Sequence, residues 1–401
     1  MPSRRQLLAC GGLAVTGLVG GRAALVEGTA AAALEWPMAR YDAAGTGYNP
    51  AASGPKDDVE PAWTGALESS GGFEIDPPVL VDGTVYAGTD ALIAFDADTG
   101  DVRFSYGTAY GSTPARARSS IYRTDTLVVS STDGLVGLNA GGGLGPGAIR
   151  LGAERWRGPS QAAGSSIFGP PEIPPPVAVG DTAYAVIPDA GSIVALAADN
   201  GRERWRRTIE YDEATVTPRR PAVRDGTVFV TAWPHQVRAF DAETGAERWR
   251  TDHPEQMVLA PTATTNGLLV PSRSGLRLYE ADGDGDTRWK RDFDGNATAG
   301  AAAVADGRVF VADGTESLRA LDLETGEEEW SVPFTHEATP VVADGVVYVT
   351  RDGYDLVAFD AETGDQRFTR QAKWSLSTPA IGDGVLYIVD GDRVLALEEA
   401  A

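Results

Sequence analysis

Ala239-Phe240-Asp241-Ala242-Glu243-Thr244-Gly245-Ala246-Glu247-Arg248-Trp249 reads as strand, tight turn, strand. Val237, Ala239 and Asp241 alternate with Arg238 and Phe240, the period of two that marks a strand. Asp-Ala-Glu-Thr-Gly supplies the turn. The Asp side chain accepts from backbone N–H groups just ahead of it, and Gly takes the left-handed conformation that closes a bulged hairpin. Trp249 follows on the return strand as a large packing anchor.

The hairpin recurs along the chain. Residues 320–330 are the nearest copy, ending at Trp330, and the copies after Ala94 and Ala358 end at Phe104 and Phe368. Weaker copies end at Trp205 and Trp289, and Leu138-Asn139 leads through a glycine-rich insertion to Trp156. With Trp63 at the front, the anchors fall roughly 40 to 50 residues apart, the period of a four-stranded propeller blade. Upstream of each hairpin lies a strand, an Asp-Gly turn and a strand, as in Pro221 to Val230 and Pro340 to Val349. The last unit, from Pro379 to Leu397, lacks its fourth strand, and Pro61-Ala62-Trp63-Thr64 is a fourth strand with no unit before it. Joining the two closes a ring and removes a sheet edge. The expectation is an all-β protein: an eight-bladed β-propeller of four-stranded antiparallel blades over 61–401, closed by the N-terminal strand. Trp63, Phe104, Trp156, Trp205, Trp249, Trp289, Trp330 and Phe368 recur once per unit. That spacing suits blade-on-blade docking and not a cofactor box.

Ala-x-Asp-x-x-Thr-Gly-x-Glu-x-Trp, matched throughout by 239–249 and 320–330, resembles the tryptophan-docking repeat of the pyrroloquinoline-quinone (PQQ)-like propellers. The resemblance covers nearly all of the chain after residue 33. It implies a propeller like those of the quinoprotein alcohol dehydrogenases, and like the non-enzymatic lipoprotein of the bacterial outer-membrane barrel-assembly machine. The Gly-His and Trp-Asp dipeptides of WD repeats are absent at the blade period. The dehydrogenase likeness would imply PQQ on the axis with calcium, a tryptophan platform, a disulfide between adjacent cysteines and a catalytic Asp. The sole cysteine is Cys10, and no Cys-x-x-Cys-His haem motif occurs. No catalytic residue is therefore assigned, and PQQ with calcium stays as the alternative.

Arg4-Arg5-Gln6-Leu7-Leu8, an apolar stretch to about Gly20 and small residues at Ala30 to Ala33 make residues 1–33 a twin-arginine export signal. The expected location is extracytoplasmic, secreted or at the cell surface. Cys10 faintly resembles a lipobox cysteine, but the apolar region mostly follows it, so it reads as a leader residue. A retained leader would give weak membrane association. Residues 34–60 read as an arm and linker: Glu35 to Asp42 resembles the segment that precedes the first strand of PQQ-like propellers, and 51–60 looks polar.

The formal net charge is -23, and Lys56, Lys290 and Lys373 are the only lysines. Such a surface resembles that of proteins from salt-loving archaea, where salt screens the self-repulsion. It argues against nucleic acid and anionic lipid as general partners. An envelope or extracellular protein partner, bound by a monomer, is expected.

Two insertions break the period, Ala140–Gly147 and Gly158–Pro176. Loops between and within blades share one face of a propeller, so Trp233, His235 and Trp374 become candidates for a partner face. His253 and His336 also fall in loops, each of the three histidines in a different blade and at no motif spacing. Asp282, Asp284 and Asp286 resemble the first half of a calcium loop, but Thr287 and Phe293 stand where Gly and Glu belong. Arg116 and Arg118 follow Pro114, and Arg219 and Arg220 follow Pro218. On innermost strands, these arginines would either form a positive channel mouth that holds an anion or an acidic peptide, or pair with nearby carboxylates. The leading expectation is a non-enzymatic scaffold. A quinoprotein-like enzyme and a small-molecule sensor are the alternatives. The enzyme would need an axial pocket with a stacking aromatic and converging carboxylates.

Overall fold

The computed structural model describes residues 34–67, 75–88, 91–108, 112–131, 134–145, 150–159, 173–187, 190–211, 214–255, 257–281, 284–293, 300–351 and 353–401. Eight antiparallel sheets follow one another in a ring. Each blade has four strands, A to D from the axis outward. In blade 1 they are Val79–Val81, Thr84–Gly88, Ala91–Asp96 and Val102–Thr108. Blades 2 to 7 span 115–157, 177–208, 217–252, 262–292, 303–333 and 341–371. Blade 8 takes Ala380–Ile381, Val385–Asp390 and Arg393–Glu399, and its D strand is Val59–Ala66 from the other end of the chain. The fold is the eight-bladed propeller that the repeat period predicts, with the ring closed by the N-terminal strand.

One contact repeats at the rim. In seven of the eight blades the aromatic anchor on the D strand lies opposite a small residue on strand C, for example Ala94 opposite Phe104, Ala195 opposite Trp205, Ala239 opposite Trp249 and Ala320 opposite Trp330, whereas in blade 5 Leu278 faces Trp289. A bulge follows each of these pairs. In blade 2 the small residue is Gly137, where any Cβ would overlap the Trp156 indole.

The ring then reaches across to the next blade. Trp63, Trp205 and Trp249 donate Nε1–H to the turn carbonyls of Ala97, Ala242 and Ala281 at 2.9, 2.9 and 3.0 Å. Trp156, Trp289 and Trp330 do the same to Ala198, Leu323 and Ala361 at 2.7, 3.0 and 3.1 Å. Gly245, at φ +69°, is doubly constrained. Its turn needs positive φ, and a Cβ there would come within 2.6 Å of the Trp205 ring. The turn Asp is also fixed: Asp241 Oδ1 accepts from the N–H groups of Glu243 and Thr244, and Oδ2 from Arg248.

Phenylalanine anchors lack the indole donor and leave the crossing to a strand-B tyrosine, a bond that Tyr184 and Tyr387 also make beside Trp205 and Trp63. Beside Phe104, Tyr86 donates to Ala140 O at 2.5 Å. Beside Phe368, Tyr348 donates to Pro55 O at 2.6 Å, because blade 8 has no C–D turn to receive it.

Residues 51–60, expected as a polar linker, are exposed at Ala51, Asp57, Asp58 and Glu60 and packed between them. The closing strand starts at Val59, Ala52 is buried, and Gly54 lies against the Tyr348 ring. The preceding residues run along the inner edges of the A strands. Trp36 and Leu80 exchange backbone hydrogen bonds at 2.9 Å in blade 1. Pro37 O accepts from Arg116 in blade 2, Ala43 O from Val223 in blade 4 and Ala44 O from Ala263 in blade 5. Thr46 O accepts from Val304 in blade 6, and Gly47 O from Val342 in blade 7. A propeller's innermost strands expose unpaired backbone groups to the channel, and this arm satisfies them.

Candidate functional site

The arm blocks one end of the axis. Above it lies a cavity of about 260 Å³. Its walls are the residues that enter the A strands, so each blade from 4 to 8 contributes one or two, as do blades 1 to 3 through Pro77, Thr113 and Pro174. Ala39 and Arg40 of the arm form part of the lining.

Charge is concentrated there. Arg40, Arg219 and Arg220 line the cavity, with Asp76 as the carboxylate. Arg40 and Arg220 are 4% and 5% exposed. Arg40 donates to Pro340 O at 2.7 Å and Ala302 O at 3.0 Å, and Arg220 to Pro221 O at 3.0 Å and Pro261 O at 3.3 Å. Each guanidinium thus clips carbonyls of adjoining parts of the ring. The arm's turns fit around them: Gly45 at φ +78° lies against Arg220 and Gly47 at φ +63° against Arg40, leaving no room for a Cβ. Burial, with Arg220 nearby, pushes the Arg40 guanidinium down to about 9, against the pull of Asp42. Burial pushes Arg220 down to about 10, again opposed by Asp42. The Asp42 carboxylate is itself occupied by Thr46, whose N–H and Oγ1–H donate at 2.9 Å each.

The candidate arginines divide. Arg219 and Arg220 reach the cavity. Arg116 does not: it forms ion pairs with Glu35 of the arm and with Asp125 at 3.1 Å. Arg118 is exposed at the end of its strand. Arg40 escapes sequence reasoning because it precedes the first strand and belongs to no repeat.

The loop-face candidates also divide. Trp233 ends strand B of blade 4 and His235 follows it before strand C, while Trp374 lies between blades 7 and 8, across the ring. Trp233 is 46% and Trp374 51% exposed. Lys373 stands 5.7 Å over the Trp374 ring, and exposed Tyr354 occupies the adjoining loop. His253, expected in a different blade from His235, is its neighbour: His253 N–H donates to His235 O at 2.6 Å. Burial lowers the His253 pKa. His336 is far along the ring, between blades 6 and 7.

Asp282 lies outside the described residues. Asp284 and Asp286 are exposed in the C–D turn of blade 5, which Glu280 N–H closes on Asp286 O at 2.8 Å. Among the described residues no three His, Cys, Asp or Glu side chains gather as metal ligands. The glycine-rich insertion at 140–147 begins as a small extension in which Leu144 and Leu151 pair, both exposed. Most of the insertion at 158–176, with Phe168, lies outside the described residues.

The described lining of this cavity does not fit PQQ with calcium. Among the described residues lining it there is no aromatic ring to stack a planar quinone. Asp76 is the one lining carboxylate, where calcium takes six to eight oxygens.

A family model described as outer membrane protein assembly factor BamB matches residues 148–271, 189–292 and 272–400. The serine/threonine-protein kinase AfsK of Streptomyces griseus is 28% identical over 153 residues, 35% of this chain and 19% of that protein. Outer membrane protein assembly factor BamB of Shewanella oneidensis is 29% identical over 123 residues, 27% of this chain and 31% of that protein. The chain therefore covers less than a third of the length of either curated relative. The quinohemoprotein alcohol dehydrogenase of Comamonas testosteroni superposes with a TM-score of 0.68 at 15% identity, over 95% of this chain and 83% of that one. An assembly factor of Moraxella catarrhalis and a dehydrogenase share this fold, so function has to come from the site.

Proposed function

This chain belongs to the family described as outer membrane protein assembly factor BamB, and from that premise we propose that it is a non-enzymatic, extracytoplasmic scaffold that binds a protein partner of the cell envelope. Its contact surface is the face that carries the B–C and D–A loops. One observation carries this reading. Of nine tryptophans, seven are buried or half-buried, six of them between blades and Trp36 in the arm. The two exposed ones, Trp233 and Trp374, both stand on the loop face. Exposed tryptophans are costly to leave in water and are enriched in the energetic centres of protein interfaces.

Export rests on the twin-arginine leader at Arg4 and Arg5, and the acidic, lysine-poor surface suits a salty exterior. The charge also favours a partner with a basic or neutral docking face over an acidic one.

Photo-crosslinking residues at 233, at 374 and at 122 on the opposite face would test the proposal in intact cells. Discrete protein adducts from 233 or 374, and none from 122, are expected. Adducts from 122 alone, or none from either loop position, would contradict it.

A further inference from the structure

Buried charge is expensive unless something of opposite sign answers it. Arg40 and Arg220 are both nearly fully buried, yet their hydrogen bonds go to backbone carbonyls, and among the described residues neither forms an ion pair with a carboxylate. Arg40 Nε donates to nothing. Neutral donors would hold those carbonyls equally well, so the carbonyl clips alone leave the two charges unexplained. Arg219 adds a third guanidinium, half-buried at the same wall, with Nε 3.4 Å from Val258 O. Among the described residues, Asp76 shares the lining and Asp42 lies beneath it, the latter held by Thr46. In a chain of net charge -23, the two buried guanidiniums Arg40 and Arg220 thus stand on the axis with no carboxylate in ion-pair contact among the described residues.

We infer that the axial cavity is a binding site for a small anion of two or more negative charges, held by Arg40, Arg219 and Arg220. The space of about 260 Å³ is below that of a drug-sized pocket and suits a phosphate or a short dicarboxylate. Guanidinium groups are the natural donors for both, since their fork matches two oxygens at once. Among the described residues the arm occupies the other end of the channel, so the cavity lies toward the loop face. The buried arginines explain why the arm carries glycine at 45 and 47: the two turns must pass directly over the guanidiniums. The site is independent of the proposed protein partner, and either can exist without the other.

Calorimetric titration of the whole chain with phosphate and with malonate, at ionic strength held constant with sodium chloride, tests the inference. One saturable site per chain is expected for at least one of the two, and the tighter one identifies the anion's geometry. Arg219→Gln, on the half-buried member, should weaken binding by about tenfold or more while leaving the melting temperature near that of the parent. Arg220→Gln should do the same or worse, and Arg118→Gln, on an exposed arginine outside the cavity, should bind as the parent does. Loss of saturable heat for both anions in the parent chain would overturn the inference. So would binding that survives in Arg219→Gln and Arg220→Gln alike.

Discussion

The rim and the axis of this propeller are built by opposite means. At the rim, one contact is made again and again: an aromatic anchor, a small residue across from it, and a turn in the next blade to receive it. On the axis, a single arm that occurs once in the chain touches nearly every blade. Repetition makes the rim readable from a period. The arm has no second copy to compare with, so its residues look like any stretch before a first strand.

The largest effects should come from removing one ring from each region. Trp249→Ala at the rim and Trp36→Ala in the arm should each cost about 3–5 kcal/mol, read as a lower urea midpoint. Equal losses would show that the unrepeated arm is as integral as a blade junction. A mild loss at Trp36 would make the arm a dispensable plug.

Gly137→Val sharpens the rim half of the comparison. A side chain there overlaps the Trp156 indole, so it should cost at least the roughly 1–3 kcal/mol of an overpacked core. The same substitution at Gly83, whose Cβ position is open, meets only the penalty of its positive φ.

Trp156→Phe keeps most of the ring and removes the bond to Ala198 O, for a cost of about 1 kcal/mol. The two natural phenylalanine junctions predict that a nearby hydroxyl can offset this loss, as Tyr86 does beside Phe104.

Acid should weaken the rim through its turn aspartates. Arg248 and the Thr244 N–H hold the Asp241 carboxyl well below the usual range; Arg103 does the same to Asp96, and Thr325 to Asp322. A carboxylate depressed in the fold contributes its stability above the ordinary Asp pKa near 3.9 and loses it as pH falls toward the native value. Melting temperature should therefore drop as pH falls below about 4, and Asp241→Asn should flatten the drop. An unchanged slope in that variant would remove the turn aspartates from the explanation.

What the sequence disclosed follows the same division. Eight anchors, the Asp-Gly turns and the missing fourth strand were enough for blade count and closure, because each signal recurs. Arg219 and Arg220 were legible as A-strand arginines. Arg116, with the same signature, turned out to pair with Glu35 and Asp125, since the arm brings a carboxylate that no local pattern announces. Arg40 was invisible for the same reason. His235 and His253 meet because strands C and D of blade 4 return the chain to the same face, a proximity their spacing of 18 residues conceals.

The proposal that matters most is that the axial cavity takes a simple anion and not PQQ with calcium. Titration of the whole chain with PQQ, with and without calcium, followed by calorimetry and absorbance in high salt, tests it most directly. The account predicts no calcium-dependent binding, and that any heat seen is displaced by phosphate or malonate as for a simple anion. Stoichiometric binding that requires calcium and resists those anions would contradict it.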